Sequence, residues 1–416
     1  MRSAAKAIVP GGEAANSELT RYAALSARTQ TAHLVIGGGL AGSMAAVRLA
    51  TAGREVTLLE RERSPHHKVC GEFLSREAVD YLADAGIDPL ALGAQTIRSV
   101  RLTSRGRVIE TRLPFTALSL SRATLDEAML TRAAQAGCSV QRGAFVEGLT
   151  PRNGEWHAQL RGGDSCSSEA VFLASGKHDV RGLERKLGRH GDLVGFKLQW
   201  RLEPAQTEAL RDFMELYLFP GGYGGLSLVE GEAATMCLVV RRAVLRDLGG
   251  WSELLQVVQD QNPHIAQRLN GATPLWERPL AVSSIPYGHL AGRSDGLWRI
   301  GDQAACIPSF TGDGMSIALH SASLAAEMYL AGQTADQYQQ KLHAHLSRGM
   351  GLATALSRTM VSSIGRTLAP FGLSLFPSSM QWIADATRIP DRALHQSGKA
   401  RVNAGNAAQS QPPSLL

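Results

Sequence analysis

The sequence predicts an α/β fold in which a parallel sheet carries an inserted antiparallel sheet and the chain ends in helices. Three observations predict it. A glycine-rich turn, Gly37-x-Gly39-x-x-Gly42, stands between a short apolar run and an alanine-rich helical stretch, and a second apolar run follows. From about residue 192 to residue 290 the pattern changes to alternating apolar and polar residues. A buried-type run at Leu297-Trp298-Arg299-Ile300 then returns, and helical periodicity continues to about residue 388.

The elements follow in order. Residues 1–30 hold arginines and alanines without a continuous apolar core, so they read as a flexible extension. Ala32 to Ile36 is a short buried strand, the helix after the glycines runs to about Ala52, and Gly53 is placed to end it. Glu55 to Leu59 is the next strand, completing a βαβ unit and implying a parallel sheet. Around Arg105-Gly106, residues 96–113 alternate as an antiparallel hairpin inserted in this first part, 31–191. Arg122 to Ala136 is helical, and Ala170 to Ala174 is a buried strand closed by Ser175-Gly176. Residues 192–290 form the inserted β-sheet domain, with Pro220-Gly221-Gly222-Tyr223-Gly224-Gly225 turning between two strands. The first part resumes over 291–333, with a helix at 315–331, and 334–395 is helical. The tail 396–416, rich in Ser, Gln, Asn, Ala and Pro, reads as disordered.

Composition excludes several classes. Charged residues are 19% of 416, too few for a disordered polyelectrolyte, and the net charge of +6 is carried by scattered basic residues, which argues against nucleic acid binding. Five cysteines, an odd number without C-x-x-C, argue against a disulfide framework or structural zinc and fit a reducing cytoplasm. No metal-ligand spacing such as H-E-x-x-H and no G-x-S-x-G elbow occurs, so no metal site and no hydrolase are expected. The apolar stretch 364–383 reads first as a packed helix pair, while Arg366 and Arg388 beside it leave peripheral membrane contact open.

The glycine turn has a specific physical reading. Gly37 permits the tight turn, Gly39 lets a pyrophosphate approach the backbone, and Gly42 lets the helix pack close to the strand. The N–H groups at Leu40 and Ala41 lie at the helix start, where an anion is stabilised, and Glu60, 18 residues after Gly42, suits a ribose. Further segments follow in order: Ser121-Arg122-x-x-Leu125-Asp126, Ala174-Ser175-Gly176, Ile300-Gly301-Asp302-Gln303-Ala304-Ala305 and Pro308-Ser309-Phe310-Thr311-Gly312-Asp313-Gly314-Met315. Together they resemble the FAD-dependent superfamily of geranylgeranyl reductases and para-hydroxybenzoate hydroxylase-type (class A) monooxygenases. The resemblance implies a glutathione reductase-type, Rossmann-like FAD-binding fold with an inserted substrate sheet. It implies noncovalent FAD held by Gly37, Gly39, Leu40, Ala41, Gly42, Glu60, Arg61, Cys70, Gly71, Arg122, Ala174, Gly176, Gly301, Asp302, Pro308, Gly312, Gly314 and Met315. Asp302 suits the ribityl hydroxyls, although a strand-end Asp also serves as a simple N-cap. The turn at 312–315 suits the flavin pyrimidine edge, where a helix N-terminus stabilises negative charge.

Lys68-Val69-Cys70-Gly71-Glu72 resembles a K-x-C-G-[ED] segment of geranylgeranyl reductase-like proteins, which lies along the isoalloxazine. Cys70 is a candidate catalytic thiol there, against the plainer reading of a packed small hydrophobe, and Asp313 is the second catalytic candidate. Glu72 reads as a flavin or backbone contact, and His66, His67 and Lys68 as exposed charge. Trp200, Tyr217, Phe219, Tyr223, Tyr287 and Phe310 are candidate lining residues of a hydrophobic substrate pocket. The reaction expected is oxygen transfer from O2, through a flavin C4a-hydroperoxide, to a secondary-metabolite-like molecule; the alternative is reduction of isoprenoid C=C bonds. NAD(P)H is the expected electron donor, directly or through a partner, since the D-G motif of class A hydroxylases is replaced by Gly176-Lys177-His178-Asp179-Val180-Arg181-Gly182. In this region Arg181 and Arg185 face either phosphates or water. The W-x-W-x-I-P motif of tryptophan-type halogenases is absent, which ranks halogenation low, and the complete motif set, with Asp302 and the 308–315 loop, ranks a non-catalytic flavin- or lipid-binding role low.

Overall fold

A computed structural model of the protein describes residues 28–104, 106–185, 191–292, 294–362 and 385–394. Of the expected extension 1–30, residues 1–27 lie outside the described residues, as do the apolar stretch 364–383 and the tail 396–416, while Arg28–Gln30 is not a flexible segment but a strand paired with Ser165–Ser168.

The five-stranded parallel sheet has the order Trp298–Arg299, Ala170–Leu173, His33–Ile36, Val56–Glu60, Ser139–Arg142. Its three middle strands are buried along their whole length, as expected of a sheet covered on both faces. Helix Leu40–Thr51 connects two of them and packs against helices Arg122–Gln135 and Gly314–Leu330. It is alanine-rich because ten of its 12 residues are buried between neighbours. Gly53, at φ +76°, turns the chain out of it, and Arg54 N–H closes the turn on the Leu49 carbonyl at 3.1 Å. Ser121 caps helix Arg122–Gln135 by accepting from Thr124 N–H. Thr334 and Gln337 form a reciprocal capping box that starts helix Ala335–Val361.

Against one face of this sheet lies a four-stranded layer, ordered Arg28–Gln30, Ser165–Ser168, Glu155–Leu160, Val146–Arg152. Facing the parallel sheet on another side is a nine-stranded sheet. Its main path runs Thr273–Pro274, Leu193–Arg201, Ala234–Arg241, Gly222–Leu228, Asp212–Phe219, Gln95–Ser104, Arg107–Ser119, Phe73–Leu74, and Leu280–Ser283 adds to Leu193–Arg201. The hairpin read from the sequence as an insertion in the first part therefore belongs to the central sheet. Its strand Gln95–Ser104 runs parallel to Asp212–Phe219. An isolated two-stranded hairpin is marginal in water, and pairing with a larger sheet supplies the partners it lacks.

Strand alternation gives the central sheet two faces with different tasks. On one face Phe196, Leu198, Trp200, Tyr217 and Phe219 pack with Leu254, Val258, Ile265 and Leu269 of helices Trp251–Gln261 and Pro263–Leu269. On the other, Leu102, Leu218, Tyr223 and Val239 cluster with Ile285, Tyr287 and Cys306. This second face looks toward the parallel sheet, and the space between them holds the site.

Candidate active site

A cavity of about 1280 Å³ lies between the two sheets. It exceeds the range of roughly 300–1,000 Å³ usual for one ligand, so there is room for two occupants. One part is walled by the glycine turn and the segments near it: Gly37, Gly39, Leu40, Ala41, Glu60, Arg61, Cys70, Gly71, Arg122, Ala174, Gly176, Gly301, Asp302, Gly312, Gly314 and Met315 all line it. Gly42 and Pro308 stand outside the lining.

Gly42 acts through packing instead. A Cβ there would sit 1.8 Å from the Gly37 carbonyl oxygen, and one on Gly37 would sit 2.4 Å from that of Ala174. The turn therefore folds only with glycine at both positions, and it leaves the start of helix Leu40–Thr51 without a side-chain cap or an acidic first turn. Across from Gly39 stand two cations, for a Cβ on Gly39 would lie 3.4 Å from Arg122 Nη2 and 3.5 Å from Lys68 Nζ. Asp126 holds both, accepting from Arg122 Nε and Nη2 at 2.8 and 2.9 Å and from Lys68 Nζ at 2.8 Å. Burial opposes the charge on Asp126, but Arg122 and Lys68 outweigh it and hold the carboxyl below its ordinary range. Two cations on one carboxylate leave one positive charge beside open helix N–H groups, which is the chemistry of a pyrophosphate site. Lys68, read from the sequence as exposed charge, is thus part of the cradle. Glu60 is 5% exposed, and its carboxylate accepts from the N–H groups of Gly38 and Glu62 at 2.7 and 2.9 Å.

Cys70 is half-buried at the cavity wall, where its sulfur accepts from Glu72 N–H at 3.4 Å. Glu72 has a left-handed backbone, φ 59°, and is completely buried. Its Oε1 accepts from Arg122 N–H at 2.8 Å and from the ammonium of the equally buried Lys197, while Oε2 has no hydrogen-bond partner. Glu72 lines the cavity, so the unpartnered oxygen leaves it an acceptor to spare beside the cofactor's part.

Arg185 binds three segments together. Its guanidinium donates to Asp179 Oδ1 at 2.6 Å, to the Asp302 carbonyl at 2.6 Å and to the Gly176 carbonyl at 3.0 Å. Gln303 Nε2 donates to the Gly176 and His178 carbonyls, each at 3.0 Å. The stretch that replaces the D-G motif is therefore fastened to the Gly301-Asp302 turn. Neither Gln303 nor Lys197 was singled out by sequence reasoning, since a lone Gln or Lys inside a regular pattern carries no local signal.

The other part of the cavity is apolar. Leu102, Leu113, Met214, Leu216, Leu218, Val239, Val282, Leu356 and Met360 line it, with Tyr223, Tyr287 and Phe310. Trp200, Tyr217 and Phe219 do not. They point to the opposite face of the sheet and pack in the helix-covered core, because strand neighbours alternate sides and the cavity takes Leu216 and Leu218. Asp313 is likewise absent from the lining. It is 2% exposed at the start of helix Gly314–Leu330, and burial, with Glu77, pushes its carboxyl up to about 6 against the pull of Arg388, Thr387 and Thr311. Burial pushes the Cys237 thiol in the apolar wall up to about 12 and raises Cys306 as well, so both are neutral near pH 7.

Known proteins resemble this chain in sequence and in fold. Residues 29–171 match the family described as FAD binding domain. The chain is an FAD-dependent oxidoreductase. The flavoprotein is 26% identical over 352 residues to menaquinone reductase of Mycolicibacterium smegmatis, covering 78% of this chain and 83% of that one. It is 25% identical over 319 residues to digeranylgeranylglycerophospholipid reductase 2 of Methanopyrus kandleri, covering 71% and 76%. Its fold is that of the flavin-dependent brominase Bmp2, with TM-score 0.70 at 15% identity, covering 92% of this chain and all of the other. Among the described residues, no helix is long and apolar enough to cross a membrane and no cluster of His, Cys, Asp and Glu is arranged to hold a metal ion.

Proposed function

We propose that this flavoprotein is a monooxygenase that inserts one oxygen atom of O2 into a hydrophobic small molecule. The observation that carries the reading is the apolar chamber: it opens directly onto the cofactor's part of the cavity, and Leu102, Leu113, Met214, Leu216, Leu218, Val239, Val282, Leu356 and Met360 line it. Reduction of a C=C bond needs a proton delivered to carbon by a positioned acid. Burial raises the pKa values of Cys237, Cys306, Tyr223 and Tyr287 in the cavity wall, which makes these four poor proton donors. Oxygen transfer to an electron-rich carbon asks the protein mainly for positioning and exclusion of water.

FAD supplies electron transfer and oxygen activation when bound. The chain's own part is to hold it and present the substrate. Gly37 to Gly42, Lys68 and Arg122 would hold the pyrophosphate, Glu60 the ribose and Asp302 the ribityl chain. The turn Gly312 to Met315 would set the N-terminus of helix Gly314–Leu330 toward the pyrimidine edge. Tyr223, Tyr287 and Phe310 would flank the substrate, and Cys70 would pack on the ring. NAD(P)H is the proposed reductant, directly or through a partner protein.

The test is anaerobic reduction of the purified holoenzyme, then rapid mixing with 18O2 in the presence of a panel of apolar phenols and polyenes. Product carrying one 18O atom supports the reading. Saturated product formed from a polyene without oxygen overturns it in favour of C=C reduction, the second reading, which two relatives named as reductases support.

A further inference from the structure

Lys177 follows the Ala174-Ser175-Gly176 turn and stands half-buried in the cavity wall. Its ammonium donates to the Val69 carbonyl at 2.9 Å. Val69 itself abuts the central sheet, since a Cβ on Gly195 would lie 3.2 Å from Val69 Cγ1. Lys177 therefore sits at the seam where the Lys68–Gly71 loop meets the sheet, between the cofactor's part of the cavity and the apolar chamber. Among the described residues it makes no ion pair. Burial works against its charge, but Asp302 leads the fields that outweigh this and raise its pKa above the ordinary value, so the side chain stays protonated. An ammonium carries three protons, and the Val69 carbonyl takes one. Leu102, Leu216, Leu218, Val239 and Val282 of the chamber wall cannot accept a hydrogen bond, and the Tyr223 and Tyr287 hydroxyls are among its side chains that can. A charge in that position is costly to leave unsolvated, so a ligand that brings its own acceptor is favoured.

We propose that Lys177 is the polar anchor of the apolar chamber, donating a charge-assisted hydrogen bond to one oxygen (a phenolate, enolate or carbonyl) of an otherwise apolar substrate. The assignment rests on reading the chamber as the substrate site and deepens it to a substrate class. A phenolate is the form the ammonium favours most, and its ring carbons are richer in electrons than those of the phenol.

The experiment uses oxidised holoenzyme without reductant, titrated with 4-octylphenol and with octylbenzene, and follows the perturbation of the flavin absorbance together with calorimetry. Wild type is expected to bind the phenol about 10- to 100-fold more tightly than the hydrocarbon, the span usual for one hydrogen bond to a charged group. Lys177→Met loses that preference while its FAD content and flavin spectrum stay those of wild type, and Lys177→Arg keeps most of it. Lys177→Gln repeats the measurement if the Met variant does not fold. Wild type without a preference, or a Met variant that retains one, overturns the proposal. So does a Met variant that loses FAD or shifts the flavin spectrum, since the lysine then serves the cofactor. Preference without oxygenated product leaves the anchor standing and removes the monooxygenase reading alone.

Discussion

Gly42 shows how one residue type decides a site it does not touch. Its missing side chain lets helix Leu40–Thr51 start against the Gly37 backbone, and a methyl group there would overlap a carbonyl oxygen at 1.8 Å. Gly42→Ala is expected to cost about 3 kcal/mol or more of stability and to yield protein largely free of FAD, measured by urea unfolding and by the flavin-to-protein absorbance ratio. Asp313 makes the opposite point, a charge in a buried place. Its folded-state pKa of about 6 lies above the ordinary value of 3.8, so the folded chain holds the proton more tightly than the unfolded chain. Stability from this group is therefore fully present below about pH 4 and is lost as pH rises through about 6, an order-of-magnitude loss of about 3 kcal/mol. Asp313→Asn is expected to stabilise the protein above pH 6 and to make little difference at pH 4, read from unfolding curves across that range. A variant equal to wild type at pH 8 would show that Asp313 is not held in this state.

At the scale of elements, the Lys68–Ser75 segment is joined to the central sheet by the Glu72–Lys197 pair, both members completely buried. Removing one partner of such a pair leaves an uncompensated charge and costs about 3–5 kcal/mol, while replacing both costs far less. Lys197→Met alone is therefore expected to destabilise strongly, and Lys197→Met with Glu72→Gln to recover part of that loss, as judged by a double-mutant cycle in urea. Additive effects would mean that the two side chains do not act as a pair. Much at this scale was legible in the sequence: the βαβ unit, the strand 170–173 and helix 314–330 follow from apolar runs bounded by glycines. The Glu72–Lys197 pair was not, because its members lie 125 residues apart and Lys197 carries no local signal.

At the scale of the whole molecule, the parallel sheet and the nine-stranded sheet share a large cavity between them. Its two parts should be separable by substitution. Val239→Trp, which puts a large ring into the apolar chamber, is expected to leave FAD bound and to weaken binding of apolar phenols at least 10-fold, measured by the same flavin absorbance titration. Loss of FAD from this variant would mean that the chamber is not distinct from the cofactor's part.

By itself the sequence determined the glycine-turn half of the cavity. Phosphate binding depends on backbone approach and helix ends, and these are written as glycines at fixed spacing, so Gly37, Gly39 and Gly42, with Glu60 and the Asp302 and Gly312–Met315 turns, could be read directly. Tertiary structure alone decided the apolar half. Alternation along a strand marks two faces but not which one is covered by helices, and so Tyr217 and Phe219 were read as lining when Leu216 and Leu218 are. It also decided where the hairpin 95–119 pairs and what surrounds Lys177, because strand pairing and the field at a charge depend on residues distant in the chain.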